Sequence, residues 1–334
     1  MSSTETPLQA AAGRKSLLPA LCWRTIIIRP ETAILLLIVL MATLASRLSP
    51  YFANIAFILE SSTYYIEFCF VALVLTLVII AGEIDLSIAS MMALSACVFG
   101  VAVRAGVSIP VAIAASLGSG LVMGALNGLL VTIFRLPSIV ATIGTLTLYR
   151  GLAQVLVGDR SIGSFPSWFV GLDFRSVGGV PVPVVIFVTA AIVLGLGLGS
   201  TIYGRQIYQI GANEIAARHV GIHVDRIKMG LFLASGFASA IAGLMMASRL
   251  GSVRYDLASG GELQIVLITM LGGTSIFGGR GTILGTFLAS WLLVIIATGM
   301  TVANITINAQ LTVLGLLLIV STIATNIFYV RGHQ

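Results

Sequence analysis

Charge is scarce in this chain. Asp, Glu, Lys and Arg make up 9% of its 334 residues, where an ordinary soluble domain carries roughly a quarter. A soluble fold of this length must cover its surface with polar groups, so the scarcity excludes one. Cysteine is also rare: Cys22, Cys69 and Cys97 stand alone, with no CxxC pair and no disulfide framework. Cys69 and Cys97 fall inside apolar runs and read as small buried hydrophobes. Of the three histidines, His219 and His223 are four apart, but Val220 stands where a zinc-peptidase HExxH needs Glu, and Gly221 weakens any helix between them. No metal site and no catalytic group are expected, which sets aside an integral-membrane enzyme. The sequence lacks a GxxxxGK[ST] loop; Gly13-Arg-Lys-Ser16 has no phosphate cradle, so this chain is expected to hold no ATP of its own. The net charge of +6 lies in short segments between apolar runs and gives no reason to expect nucleic acid. The first 29 residues, polar and then basic, lack the apolar core and cleavage site of a signal peptide.

Apolar residues, by contrast, make up 58% of the chain and come in blocks. About twenty such residues cross the hydrocarbon of a bilayer as a helix, and backbone groups in lipid must satisfy one another. The expected fold is therefore an all-α membrane protein, a polytopic bundle of about ten helices. The blocks are 31–46, 62–81, 86–103, 108–134, 138–157, 182–200, 229–248, 262–279, 281–301 and 308–328. They form one transmembrane domain, 31–328, between a cytoplasmic tail at 1–30 and a second at 329–334. The basic residues favour both ends inside: Arg14, Lys15, Arg24, Arg29, Arg135, Arg205, Arg218, Arg226, Lys228, Arg280 and Arg331 then face the cytoplasm. The location this implies is a bacterial inner membrane, with lipid around the bundle.

Two connections are long. The external one, 158–181, carries Phe165, Trp168, Phe169 and Phe174 among Gly and Pro, which suits the membrane–water boundary or a docking surface. The internal one, 203–228, mixes charges with helix formers and predicts a short helix, with Asn213 as its N-cap and Gly221 near its end. Gly120, Gly124 and Gly128 form a double GxxxG, and Gly281 and Gly285 a single one; such faces let helices approach closely, most simply within the same chain. Glu67 and Arg150 lie within spans, where ionisable groups find partners or line a watery path, and they could pair with each other. Asp85 and Ser87 open a span, where Asp can cap free N–H groups. Glu83 beside them can snorkel or pair with a nearby base. These five are gating or structural candidates.

Four stretches, in order and each in its topological place, resemble the ribose-type permeases of ABC importers, which serve ribose, xylose, galactose, rhamnose and autoinducer-2. They are Gly82-Glu-Ile-Asp-Leu-Ser87; Leu126-Asn-Gly-Leu-Leu130 with Ile143-Gly-Thr-Leu146 and Tyr149-Arg-Gly-Leu-Ala153; Ile210-Gly-Ala-Asn-Glu-Ile-Ala-Ala-Arg218 with Gly221-Ile222; and Leu271-Gly-Gly-Thr-Ser275 with Gly278-Gly-Arg-Gly281 and Gly285-Thr286. The likeness runs from about Gly82 to Phe328. Within it, Glu83 and Ala89 stand where the family usually has glycines, and Gln264 where an aspartate is common.

The resemblance implies a permease subunit that moves a monosaccharide or a related small solute across the inner membrane, and breaks no covalent bond. Its partners would be two ABC ATPase domains, which hold the ATP and Mg, a periplasmic sugar-binding protein, and a second permease, identical or related. The internal loop would dock into the ATPase, with Gly211, Asn213, Glu214, Ile215, Ala217, Arg218, Gly221 and Arg226 as the coupling set. A sugar-like solute needs hydroxyl and amide partners on its way, and Asn127, Thr142, Thr145, Tyr149, Thr274 and Ser275 are the candidates, helix packing being their plainer role. The alternative is an ion-coupled secondary transporter, which needs an intramembrane carboxylate such as Glu67.

Overall fold

The computed structural model describes residues 30–48, 50–172 and 175–331. Most of the N-terminal tail, including Arg14, Lys15, Cys22, Arg24 and Arg29, lies outside the described residues, as do Phe174 and positions 332–334. Helices dominate because the apolar blocks leave the backbone no other way to satisfy itself in lipid. In chain order they are α1 (Pro30–Leu48), α2 (Ile55–Ser62), α3 (Ile66–Ile80), α4 (Ile88–Arg104), α5 (Ile109–Thr132), α6 (Ser138–Val157), α7 (Ser167–Val170), α8 (Val182–Ser200), α9 (Ile202–Ala212), α10 (Glu214–His219), α11 (Val224–Leu250), α12 (Gly261–Leu271), α13 (Ile283–Val302) and α14 (Ile307–Arg331). A minimal hairpin, β1 (Ser176–Val177) with β2 (Val180–Pro181), precedes α8.

Five of these, α5, α6, α8, α11 and α13, are long and apolar enough to cross a membrane, and α2 with α3 makes a sixth if the pair, bent by 71°, is one span. Helices α4 and α12 are apolar but shorter. The block read at 262–279 is one of these: α12 stops at Leu271, because Gly272 ends the helix and Gly273 follows at φ +82°. The rest of that block is irregular backbone, which membrane depth tolerates only when protein or water surrounds it.

Helix α3 is the axis of the bundle. Every residue from Ile66 to Ile80 is buried, as a helix apolar on all sides requires. It packs against α11, α12, α8 and α13. The double GxxxG of α5 closes onto α11: a methyl group on Gly120 would sit 2.5 Å from the Gly236 carbonyl oxygen, and one on Gly124 would overlap that of Phe232. The stripe is thus spent within the chain. The outer helices α5, α6 and α8 keep wide apolar faces exposed, among them Val122, Val155 and Leu196.

The connections sort to two ends. At one, residue 162 bridges to Val253, and the Ser248 hydroxyl donates to the Phe169 carbonyl at 2.5 Å. Here the aromatics expected at a boundary prove otherwise. Phe165 and Phe169 are buried against Phe99, at ring distances of 5.1 and 4.7 Å, while Trp168 is exposed. At the opposite end lie the 81–87 and 272–282 connections, α9 and α10. Helix α1 begins there too, with Glu31 accepting from the Thr282 hydroxyl at 3.0 Å.

Candidate functional site

Three of the four sequence motifs meet at one place. Helix α3 ends at Ile80, and the chain turns through Gly82 into an extended stretch before α4. The Ile80 carbonyl accepts from the Gly279 N–H at 2.8 Å, joining this stretch to the α12–α13 connection. Gly211, near the end of α9, fits between them. A methyl group there would overlap the Ile80 carbonyl oxygen and come within 2.5 Å of the Gly279 nitrogen. The Tyr208 hydroxyl donates to the Gly281 carbonyl at 2.6 Å and fastens α9 to the same connection. Backbone meets backbone here, which only glycine permits.

From Gly211 the chain passes to α10, the helix that the sequence anticipates. Asn213 caps it, its side-chain oxygen accepting from the Ala216 N–H at 3.0 Å. Gly221, at φ +85°, turns the chain out of it. This turn separates His219 and His223, so the pair do not share a helix face. Ala217 is buried against Ile210 and Val224, with Ile222 and Ile227 around them. The other face is bare: Ile215 is 70% exposed and Val220 74%.

A chain of alternating charges holds α10 in place. Arg218 donates to Glu214 at 2.9 and 3.1 Å and to both oxygens of Asp225. The other Glu214 oxygen accepts from Lys228 Nζ at 2.6 Å, and the same ammonium reaches Glu83 at 2.5 Å. Partial burial works to raise the Glu214 pKa. The hydrogen bonds and charges of Lys228 and Arg218 outweigh it and hold the carboxyl below its ordinary 4.5. Arg218, bonded to Asp225 and Glu214, is held above the ordinary arginine value. Arg226 is exposed.

Beyond Glu83 the same stretch enters a buried polar knot. Asp85, wholly buried, accepts from the Ser87 N–H and hydroxyl on one oxygen, at 3.0 and 2.7 Å, and from the Ser235 hydroxyl on the other, at 2.7 Å. The capping expected of Asp85 is thus spent on Ser87 itself, just before α4 begins. Ser87 Oγ accepts from Asn127 at 2.7 Å, and the Tyr149 hydroxyl lies 3.0 Å from the Asn127 oxygen. Ser138 accepts from the Ile84 N–H, and Thr142 donates to the Ile84 carbonyl at 3.2 Å.

The six candidate path residues therefore fall into two groups, all buried within this chain. Asn127, Thr142, Thr145 and Tyr149 lie on α5 and α6, the first, second and fourth bonded to the 82–87 stretch or its knot and Thr145 to the Thr142 carbonyl. Ser275 accepts from the Phe277 N–H and shapes the 272–282 connection, while the Thr274 hydroxyl has no hydrogen-bond partner among the described residues.

Glu67 and Arg150 do not pair. Glu67, wholly buried, accepts from the nearly covered Arg249 at 2.7 Å, and the Arg249 guanidinium also lies over the Tyr64 ring. Arg150 donates to the Tyr255 and Leu257 carbonyls at 2.8 and 2.7 Å, anchoring the loop that precedes α12. The carboxylate that ion coupling would need is thus ion-paired. Among the described residues no group of three or more His, Cys, Asp and Glu gathers that could hold a metal ion. Sequence reasoning passed over Lys228, Asp225 and Ser235. The available signal was a lysine in the last charged turn before an apolar helical run, seven residues before a serine on the same face.

An apolar many-helix bundle that displays a short capped helix at one end fits a membrane transport subunit. The comparisons with known proteins agree. The family model for the permease component of branched-chain amino acid transport systems matches residues 56–322, and the chain belongs to that family. It is a transport subunit of an ABC importer of the inner membrane. Among its relatives is an autoinducer 2 import system permease protein, LsrD, of Escherichia coli K12, 33% identical over 303 residues, or 89% of this chain and 92% of that protein. LsrD of Enterobacter sp. strain 638 is 35% identical over 296 residues, 87% of this chain and 90% of that protein. No solved structure matches the chain.

Proposed function

We propose that this chain carries a small, hydroxyl-rich solute of the autoinducer-2 or monosaccharide class, and that α10 is where an ABC ATPase grips it. The exposed face of α10, with Ile215 and Val220 outward on a helix fixed from beneath, carries the reading. A lever must be stiff to transmit force, and a partner shifts an equilibrium only through contacts that differ between states. Ile215 and Val220 supply apolar contact, and Arg218 and Arg226 a polar rim.

In this reading all ten apolar blocks lie in the bilayer, each with a helix of its own, and α12 reaches across only together with the irregular backbone that follows it. The α10 end is cytoplasmic, as its Arg and Lys content favours. The ATP and Mg belong to the ATPase, and this subunit does no covalent chemistry. Two permeases, identical or related, stand above two ATPase domains, and a periplasmic binding protein delivers the solute. The solute passes through the bundle towards the 81–87 and 272–282 connections, with Thr274 and Ser275 nearest its course.

Reconstitution in liposomes with the ATPase and binding protein tests this. Addition of solute to wild-type complex is expected to stimulate ATP hydrolysis and uptake. Ile215→Asp should abolish capture of the ATPase while the permease remains folded, a surface substitution costing about 0.5 kcal/mol or less. Unchanged capture by that variant would move the docking face elsewhere on the chain.

A further inference from the structure

Lys228 is a buried lysine, 7% exposed, at the start of α11, and its ammonium touches two carboxylates from different segments. One is Glu214 of α10 at 2.6 Å; the other is Glu83 of the 82–87 stretch at 2.5 Å. Seven residues further along α11, Ser235 bonds Asp85 of that same stretch at 2.7 Å. Seven residues are two turns, so Lys228 and Ser235 lie on one face about 10 Å apart. The break between α3 and α4 is therefore pinned to α11 at two points, and the lower pin is also the anchor of α10. Asp85 in turn leads through Ser87 to Asn127 and Tyr149 on α5 and α6.

Resting on the reading of α10 as the ATPase-facing helix, we propose that Lys228 is the positioning residue that carries displacement of α10 to the break between α3 and α4. Gly211, at the end of α9 and two residues before α10 is capped, packs against Ile80 at the end of α3, a steric contact that transmits a push. The Glu214–Lys228–Glu83 link transmits a pull, since removing either carboxylate leaves the ammonium attached to one segment alone. The Lys228–Glu83 half of the link is screened little, both side chains being nearly covered, and its geometry is held by a contact that water cannot easily replace; the Glu214 half is more exposed. Loss of the link leaves α10 seated on Ile210, Ala217 and Val224, and still bonded through Arg218 to Asp225. ATPase binding and transport thereby become separable.

The test is solute moved per ATP hydrolysed in the reconstituted importer. ATP-driven uptake by the wild-type complex is the control that the assignment of α10 itself must pass. With that in hand, Glu83→Gln is expected to bind the ATPase with affinity within about twofold of wild type and to lower solute per ATP about tenfold, and Lys228→Met to do the same. The double variant should be no worse than Lys228→Met, because both remove one link. Lys228→Arg, which keeps the charge, should recover part of the ratio. An unchanged ratio in a folded Glu83→Gln, or additive losses in the double variant, would overturn the proposal. Should the variants fail to insert, amide exchange of 82–87 in the wild-type complex decides: ATP must change its protection, and equal exchange with and without ATP sinks the idea.

Discussion

Ionic contacts hold both ends of this bundle, but they are built differently. At the α10 end five charges from three segments alternate in sign, from Glu83 through Lys228, Glu214 and Arg218 to Asp225, and the outer members are partly exposed. At the other end Glu67 and Arg249 form one pair sealed in the core, and Arg150 is spent on two carbonyls. A shared chain of charges can lose one contact and keep others. A sealed pair has no second partner, so breaking it strands a charge. In the coupling proposed above, the first arrangement belongs to the end that moves and the second to the end that holds.

Substitutions that break each end sharpen that contrast. The largest effect is expected at the sealed pair: Glu67→Ala leaves Arg249 buried without its counter-charge and should cost about 3–5 kcal/mol. Thermal unfolding of the purified subunit in detergent reads it, and a loss under 1 kcal/mol would mean that Arg249 finds another partner. Next is Gly211→Val, which forces side-chain atoms into the Ile80 carbonyl and the Gly279 backbone. Overpacking of this kind costs about 1–3 kcal/mol, and at this junction it should also weaken ATPase capture, measured by co-purification.

The smallest effect concerns pH at the α10 end. The Glu214 carboxyl is held below its ordinary 4.5 in the folded chain. Its contribution is therefore fully present above that value and is lost as pH falls through the lower, folded one. Amide exchange across 214–219 should be flat from neutral pH to about 5 once corrected for intrinsic rates, and should rise only further down. Loosening that began nearer neutrality would show that the two cations do not hold the carboxyl.

Much of the helix inventory was legible in the sequence because the bilayer leaves the backbone so few choices. Ten apolar blocks each found a helix, and Asn213 and Gly221 marked the ends of α10. The errors have physical causes. Hydrophobicity ran on past Leu271, but a pair of glycines stopped the helix where backbone packs on backbone. Phe165 and Phe169 read as boundary aromatics since composition does not say which side of a loop faces Phe99. Depth alone offered Arg150 as a partner for Glu67, but its counter-charge is Arg249, at the far end of another span.

The motifs were visible one by one; their meeting was not. Composition and pattern along the chain were enough for a helical membrane protein, for where its apolar runs lie, and for which short segments carry family-like residues. Only the tertiary structure decided that Gly82, Gly211 and Gly279 share one junction, and that Lys228 stands between two carboxylates 145 and 14 residues before it. Local propensity and hydrophobicity act over a few residues and can be read along the chain. Contacts between segments far apart depend on how whole helices pack, and that is settled only when the bundle closes.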